Sequence, residues 1–529
     1  MGNQFPVQKV KLTAEDKASH IFNHYGMYLV GSAGKVSEEA RQVIDDLVFD
    51  KLRTKVIHFT FDLAYPVWHP QYKVIPFGTD HFDVNDTDSL DKWILDQWMT
   101  FAYGGLELAK AIKEHGAVMA LNFSNIEAHH LAEETVERMY ADASPEELEL
   151  IMGSAASAVM VVKDIHQIAD DYLATYVERA VKVTDRMVKH FDFPVKYVNI
   201  IDEPNIHGIT PPQMCQLVRL LRSTLDAYGY LNILVNGPAT AGINMSYAES
   251  MKKIDPEAFD IMQNLTIHGF GSGYMDLEHR ESARNLGKNL WITSTGAPGG
   301  IKYSELPRDE NGCVYDDWSF GGLINASSAM VDINLGASYI GMWVLVNQAR
   351  KCFELEYRYH MILADDEEGY PTLGKELLIL NTYGYTTTLS ATFDNDAEIY
   401  YCESSEEGSM SERYDLTNYI KNQMAAVVGK NTDGTWGIAI LNKTDSETRK
   451  RQAAALKENM KPHGLVSPSV TLEVELDITA LHGTGVKTFS VQATGKNGMY
   501  LQPREDITLV DGKGTICVDP FEIISIRER

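Results

Sequence analysis

Short apolar runs alternate with amphipathic segments from about residue 25 to residue 350. Eight of these runs have the length and composition of buried strands. Repeated strand–helix units of this number predict an α/β fold, a closed (β/α)8 TIM barrel. The alternative fold is a doubly wound open sheet. The segment VGSAGKVSEEA, which follows the first apolar run, lacks the GxGxxG signature of that fold. The predicted strands lie within 26–34, 55–65, 117–125, 195–205, 232–239, 259–271, 288–296 and 337–348.

Glycine and proline mark the ends of the predicted helices. A helix over 95–116 is closed by Gly116, a residue suited to a left-handed C-cap. A later helix is opened by Pro211 and Pro212 and closed by Gly229. These helices fall between predicted strands, as the barrel requires.

The pattern changes after about residue 372 to short alternating strands with turn residues between them. This texture predicts a C-terminal antiparallel β-sandwich over 372–529, after a catalytic barrel over 21–371. The N-terminal segment 1–20 contains VQKVKL, a candidate extra strand of the sandwich. The strand-like segments are 387–393, 397–404, 423–430, 435–444, 469–478, 487–494, 514–520 and 521–529.

Charge and cysteine content narrow the class of protein. Lys plus Arg number 47 against 74 Asp plus Glu, a formal net charge of −27, which argues against nucleic acid as a partner and is compatible with a neutral carbohydrate. The five cysteines are scattered without a CxxC pair, which argues against a disulfide framework or a zinc site. No membrane span or signal-peptide core is visible, so we expect a cytoplasmic protein, or a secreted one if a signal has been removed. The oligomeric state stays open.

Functional side chains of a (β/α)8 barrel gather at the carboxyl ends of its strands. These ends are rich in amides, aromatics and carboxylates, a mixture that suits the hydroxyls and apolar faces of sugars. No Lys or Arg cluster for phosphate and no spaced His triad for a metal is present, so we expect no metal and no cofactor. The candidate substrate-binding residues are Asp62, Tyr65, Trp68, Asn122, Asp202, Asn236, His268, Phe270 and Trp343.

The segment VNIIDEPN is the most specific feature of the chain. Asp202 and Glu203 are adjacent at the point where an apolar strand meets a proline. The charge of one acid and partial burial can keep the other protonated, as a general acid requires. The structural alternative is a helix N-cap acid beside a surface acid. A single candidate such as His268 is more often structural, so the prediction depends on the whole set.

The chain resembles the retaining glycoside hydrolases of clan A, most nearly family 30. In that family, strand four ends in Asn-Glu-Pro with Glu as the acid/base, and DEP here gives Glu203 that role. IHGF matches the His and aromatic of strand six, and Trp343 matches the active-site Trp of strand eight. Strand seven follows W-[IM]-T-E, whose Glu is the nucleophile, and WITS here departs only at Ser294. The resemblance covers roughly residues 20–400 and implies β-glycoside cleavage by a retaining, two-carboxylate mechanism.

Ser294 is the main departure from the family pattern. Retention requires two carboxylates about 5–5.5 Å apart, and a serine hydroxyl without an adjacent base is a poor substitute. Loss of a nucleophile is on the order of 10⁶ in kcat, or about 8 kcal/mol of transition-state stabilisation. We therefore expect a nucleophile-disabled Glu-to-Ser variant, engineered or natural. A plain loop serine is the structural alternative.

Asp202, in place of the usual Asn, supports a second interpretation. In some hexosaminidases an Asp-Glu pair ends this strand, the substrate's own 2-acetamido oxygen is the nucleophile, and Asp orients it. Such a β-N-acetylhexosaminidase requires no carboxylate at Ser294. A third interpretation is a non-catalytic carbohydrate-binding pseudoenzyme.

Overall fold

A computed structural model of the chain describes 16 segments, and the fold is given for these alone. They are residues 5–15, 19–29, 38–63, 84–124, 170–205, 208–269, 275, 277–295, 318–342, 346–348, 362–364, 378–379, 381–405, 424–444, 469–495 and 500–529.

Eight parallel strands close into a barrel, with the last strand paired to the first. Two earlier strands, β1 (Val7–Ala14) and β2 (His20–Phe22), belong to a different sheet. The predicted (β/α)8 barrel is therefore confirmed. Its strands are β3 (His24–Met27), β4 (Val56–Asp62), β5 (Val118–Ser124), β6 (Val195–Asn199), β7 (Leu234–Thr240), β8 (Met262–His268), β9 (Asn289–Thr295) and β10 (Ala337–Met342).

Helices lie between most of the barrel strands. A π-helical turn over Asp46–Lys51 directly follows the first of these helices, Glu38–Asp45. The two long helices between β5 and β7 bury one apolar face each, as their periodicity requires. The helices are α1 (Glu38–Asp45), α2 (Thr87–Asp96), α3 (Trp98–Tyr103), α4 (Glu107–Glu114), α5 (Leu173–Lys189), α6 (Pro211–Ala227), α7 (Met245–Ile254), α8 (Pro256–Ile261), α9 (Leu277–Leu286), α10 (Trp318–Asn334), α11 (Asn381–Thr392) and α12 (Thr479–His482).

The prediction of one helix over 95–116 is wrong, because a pair of glycines divides it. Gly104 and Gly105 have φ of 108° and 79°, values that a helix cannot contain, and they separate α3 from α4. Gly116, with φ of 64°, ends α4 in the left-handed conformation that the sequence predicted.

The remaining long strands form one curled sheet of 11 strands, which matches the predicted β-sandwich. Pairing is antiparallel except between β1 and the strand over Thr471–Asp477, which are parallel. The predicted boundaries at residues 21 and 372 stay predictions. A small sheet holds β11 (Val346–Gln348), β12 (Ile362–Ala364) and β13 (Leu378–Ile379). The other strands of the large sheet are β14 (Ala397–Tyr400), β15 (Cys402–Ser404), β16 (Met424–Lys430), β17 (Trp436–Asn442), β18 (Thr471–Asp477), β19 (Val486–Thr494), β20 (Gln502–Val510), β21 (Lys513–Val518) and β22 (Glu522–Glu528).

In this region one local prediction is wrong, and one strand was not predicted. Segment 387–393 was predicted as a strand, yet most of it belongs to α11, which packs on β17, β19 and β22. Strand β20 was not predicted, because most of its side chains are exposed and leave no apolar alternation to detect.

The barrel interior has an aromatic and aliphatic layer separate from the outer core. Trp291, Tyr339, Val56 and Ala120 form it, and Trp291 stacks on Tyr339 with ring centroids 4.5 Å apart. Gly26 is required here, because a Cβ at this position would lie 1.4 Å from the Tyr339 hydroxyl. This layer fills the lower barrel and leaves the carboxyl ends of the strands to polar side chains.

Cys215, Cys402 and Cys517 are unpaired, as the scattered cysteines predicted, and the other two lie outside the described residues. In the part of the chain that the structure describes, no helix is long and apolar enough to cross a membrane.

Candidate active site

The acid pair lies in the turn after β6, at the carboxyl end of the barrel. The N–H of Asp202 donates to the carbonyl of Phe123 in β5 at 2.6 Å, and that of Glu203 donates to the carbonyl of Ala239 in β7 at 2.9 Å. Glu203 has a φ of 52°, which is uncommon for a residue with a Cβ. Such strain persists where the surroundings fix it, and it is frequent at functional sites. The neighbouring strands therefore hold both acids in place.

His268, the last residue of β8, lies between the two carboxylates. Its Nδ1 is 2.9 Å from Oε1 of Glu203, and its Nε2 is 3.2 Å from Oδ1 of Asp202. The side chain of His268 is 3% exposed, that of Asp202 15% and that of Glu203 27%. Glu203 is thus the acid that a ligand can reach more easily, and Asp202 is the more buried partner.

Burial and the neighbouring charges shift the pKa values of His268 and Asp202 within this group. Burial alone would lower the pKa of His268, but Asp202 and Glu203 outweigh burial and raise it to about 10. Burial raises the pKa of Asp202, the imidazolium opposes this, and the charge of Glu203 adds to it. One imidazolium between two carboxylates leaves one net negative charge, so the pair favours retention of a further proton. A carboxyl that keeps its proton near neutral pH can act as a general acid.

A chain of buried amides supports the acid pair from inside the barrel. Nδ2 of Asn122 donates to the Tyr28 hydroxyl at 2.9 Å and to Oδ1 of Asp202 at 3.4 Å. Oδ1 of Asn122 accepts from Asn199, whose own Oδ1 accepts from the Thr266 hydroxyl at 3.4 Å. Each buried amide is hydrogen-bonded to the next one, so this series of amides positions Asp202 at the carboxyl end of the barrel.

Ser294 lies beside this group. It is opposite His268 in the pairing of β8 with β9, where the register shifts between Ile267 and His268. Its carbonyl accepts from the N–H of Gly269 at 2.7 Å. Ser294 is 1% exposed, and its Oγ has no hydrogen-bond partner among the described residues. Since neighbouring strands are about 4.8 Å apart, Ser294 and Glu203 both border His268.

Of the other predicted site residues, two are described by the structure and four are not. Asn236 is buried and accepts at Oδ1 from Asn264 at 3.0 Å, deeper in the barrel than the acid pair. Asp62 ends β4 opposite Ser124 of β5, so its backbone lies at the same carboxyl end of the barrel as the acid pair. Predictions for Tyr65, Trp68, Phe270 and Trp343 fall outside the described residues. Within the described ranges no group of three His, Cys, Asp or Glu side chains is placed to hold a metal ion.

Asn199 and Thr266 belong to the network but were not predicted. Thr266 lies inside β8, and Asn199 is the last residue of β6 but lies in the middle of the longer run 195–205 that the sequence predicted as a strand. Their signal is polarity in an otherwise apolar run, as in YVNII around Asn199. An inward polar residue inside a buried strand needs a partner, and the site supplies it.

Comparison with known proteins shows which solved structures share this fold. No protein-family model and no curated protein matches the sequence. A glycoside hydrolase family 30 subfamily 8 xylanase from Clostridium acetobutylicum is similar over 98% of this chain and 99% of its own, with a TM-score of 0.61 and 12% identity. An endo-β1,6-glucanase is similar over 98% and 94%, with a TM-score of 0.57 and 13% identity. SrfJ from Salmonella typhimurium is similar over 98% and 92%, with a TM-score of 0.60 and 10% identity.

These likenesses extend over nearly the whole of each chain, so barrel and sandwich are matched together. At identities of 10–13% they establish a common fold. The chain therefore has the fold of family 30 glycoside hydrolases, as the resemblance of its motifs implied.

Proposed function

We propose that the chain is a glycoside hydrolase scaffold for β-glycosidic bonds, with Glu203 as acid/base and Ser294 at the position of the retaining nucleophile. The observation that carries the proposal is the shared neighbour: His268 contacts Glu203 directly and pairs with Ser294 across adjacent strands. A shared neighbour of this kind supports a common cleft for the acid and the attacking position. The fold shared with xylanases and a glucanase supports the same class.

In the proposed reaction, Glu203 gives its proton to the leaving glycosidic oxygen. A retaining enzyme then requires a carboxylate that attacks the anomeric carbon, and Glu203 afterwards removes a proton from the water that releases the sugar. His268 and Asp202 hold Glu203 in position. Ser294 has no base within the described contacts to activate it, so the chain as it stands carries the acid without the nucleophile.

The test is restoration of the carboxylate by Ser294→Glu. Turnover of 4-nitrophenyl β-xyloside and β-glucoside should rise from background by several orders of magnitude, toward the roughly 10⁶-fold effect that removing a catalytic nucleophile has. Ser294→Gln is the matched control, since it has the same size without the charge and should stay inactive. Adding Glu203→Gln to Ser294→Glu should abolish the gain. An inert Ser294→Glu protein that still folds would contradict the proposal.

A second candidate is a β-N-acetylhexosaminidase that uses substrate assistance. It is favoured by one observation, the adjacent carboxylates Asp202 and Glu203 with a polar, uncharged Ser294 next to them. This candidate predicts that the unaltered chain cleaves 4-nitrophenyl N-acetyl-β-glucosaminide but not the glucoside. A protein that binds sugars, cleaves neither substrate and gains nothing from Ser294→Glu would instead be a carbohydrate-binding pseudoenzyme.

A further inference from the structure

An asparagine side chain joins the turn that carries the acid pair to the end of β7. Asn205, two residues after Glu203, contacts both backbone groups of Ala241, the residue that follows β7. Its Oδ1 accepts from the Ala241 N–H at 2.8 Å, and its Nδ2 donates to the Ala241 carbonyl at 3.2 Å. Because a side-chain amide has both a donor and an acceptor, it can replace a backbone partner in this way. Asn205 therefore extends the contact between the two chain segments beyond the end of β6.

The contact of Asn205 adds to one that the backbone of Glu203 makes with the same segment. The N–H of Glu203 donates to the carbonyl of Ala239, so the two linked positions are two residues apart on each side. Glu203 and Ala239 both have a positive φ, 52° and 57°. Residues with a Cβ keep such a conformation only where the surrounding structure fixes it. The backbone contact and the Asn205 side chain together provide that constraint next to the acid.

A separate pair of contacts holds the chain where it leaves the turn. The N–H of Ile209 donates to the carbonyl of Pro204 at 2.9 Å, and the hydroxyl of Tyr247 donates to the carbonyl of Ile209 at 2.8 Å. These contacts fix the path into α6. In the part of the chain that the structure describes, the link between the turn and the end of β7 therefore depends on the Glu203 backbone and the Asn205 side chain.

We propose that Asn205 is a positioning residue of the candidate active site, whose two contacts with Ala241 hold Glu203 where its carboxylate meets His268. That carboxylate lies 2.9 Å from Nδ1 of His268, and a displaced turn would lengthen this distance. Asn205 acts through the backbone of the turn. The proposal deepens the function proposed above, in which Glu203 is the acid/base, and its turnover test rests on that function.

The titration of His268, followed by NMR of the full chain, tests the position of Glu203 without turnover. The charges of Asp202 and Glu203 raise the pKa of His268 to about 10, so an acid turn that moves away should lower it. In Asn205→Ala and Asn205→Leu, the acid dissociation constant of His268 should rise about three- to tenfold, the effect of one weakened hydrogen bond. The His268 ring signal is identified by its loss in His268→Gln.

Asn334 provides the matched control, because it makes the same two-point contact elsewhere. Its Nδ2 donates to the carbonyl of Cys402 at 3.0 Å, and its Oδ1 accepts from the Cys402 N–H at 2.9 Å, at the end of α10 and away from the acids. Asn334→Ala should destabilise the protein and leave the titration of His268 unchanged. An equal change in Asn334→Ala, or no change in either folded Asn205 variant, would overturn the proposal.

Turnover in the Ser294→Glu background gives the second measurement. Adding Asn205→Ala should lower kcat by about 10- to 100-fold, because a small misplacement of a catalytic group has an effect of this size. KM should change little, since Asn205 is proposed to act on Glu203 and not on the sugar. An unchanged kcat would also overturn the proposal. If Ser294→Glu is inert, the proposed function fails, and the titration of His268 still decides the role of Asn205.

Discussion

At the scale of residues, His268 determines how the two carboxylates of the candidate active site behave. It contacts both acids, and its buried position makes the charge balance of the three groups sensitive to each member. The sequence predicted these residues, because acids and histidine at the ends of apolar strands are chemically unusual. It did not predict Asn199 or the partner of Asn236, because hydrogen bonds between strands leave no local trace in the sequence.

Removal of His268 should change how stability depends on pH. The pKa of His268 is raised from 6.5 to about 10, so its contribution is fully present below pH 6.5 and is lost as pH rises toward 10. The advantage in free energy of unfolding of the unaltered protein over His268→Gln should therefore shrink over this window, by up to about 1.4 kcal/mol per pH unit. Urea unfolding at intervals from pH 6 to 10 measures it. An advantage that is constant across the window would show that His268 is not charged in the folded protein.

At the scale of elements, the end of β9 decides where Ser294 lies. The pairing of β9 with both neighbours is irregular near its end, and β10 approaches it closely at Gly341. A Cβ on Gly341 would lie 2.3 Å from the carbonyl oxygen of Thr293. The sequence predicted a strand within 288–296, where β9 lies. The shift in register depends on contacts with two other strands and could not be predicted from LWITST alone.

Gly341→Ala should displace the end of β9 and destabilise the barrel. Overpacking of this kind costs about 1–3 kcal/mol, and in the Ser294→Glu background it should also lower kcat, because the new carboxylate moves with Thr293. Thermal unfolding and turnover measure the two effects. Gly105→Ala is the comparison: its Cβ meets nothing within 4 Å, and its φ of 79° alone should cost about 1 kcal/mol without an effect on kcat. Unchanged stability and turnover in Gly341→Ala would contradict this view of β9.

At the scale of the whole molecule, one carboxylate joins the barrel to the large sheet. Asp394 follows α11 and accepts from Arg53, next to β4, at 2.9 Å, and from both terminal nitrogens of Arg527 in β22 at 2.8–2.9 Å. The sequence predicted a barrel followed by a sandwich, because each strand has its own burial pattern. It could not predict this junction, or the parallel pairing of β1 with β18, since both join segments hundreds of residues apart.

Asp394→Asn should weaken this junction in a pH-dependent way. Burial would raise the pKa of Asp394, but Arg527 and Arg53 outweigh it and lower that pKa below 3.8. Its contribution is therefore present above pH 3.8 and is lost as pH falls through the lowered pKa. We expect a loss of about 1–3 kcal/mol at pH 7 that disappears in acid, measured by thermal unfolding. Glu473→Gln, which removes an exposed pair with Lys9, should cost less than about 1 kcal/mol. Equal losses in the two variants would contradict the junction.

The crystal structure of the unaltered protein with an intact aryl β-xyloside or β-glucoside tests the central proposal most directly. We expect the glycosidic oxygen within hydrogen-bond reach of the Glu203 carboxyl, about 3 Å, and the opposite face of the anomeric carbon turned toward Ser294. A sugar bound with its anomeric carbon away from both residues, or Glu203 and Ser294 more than about 10 Å apart with no sugar between them, would contradict it.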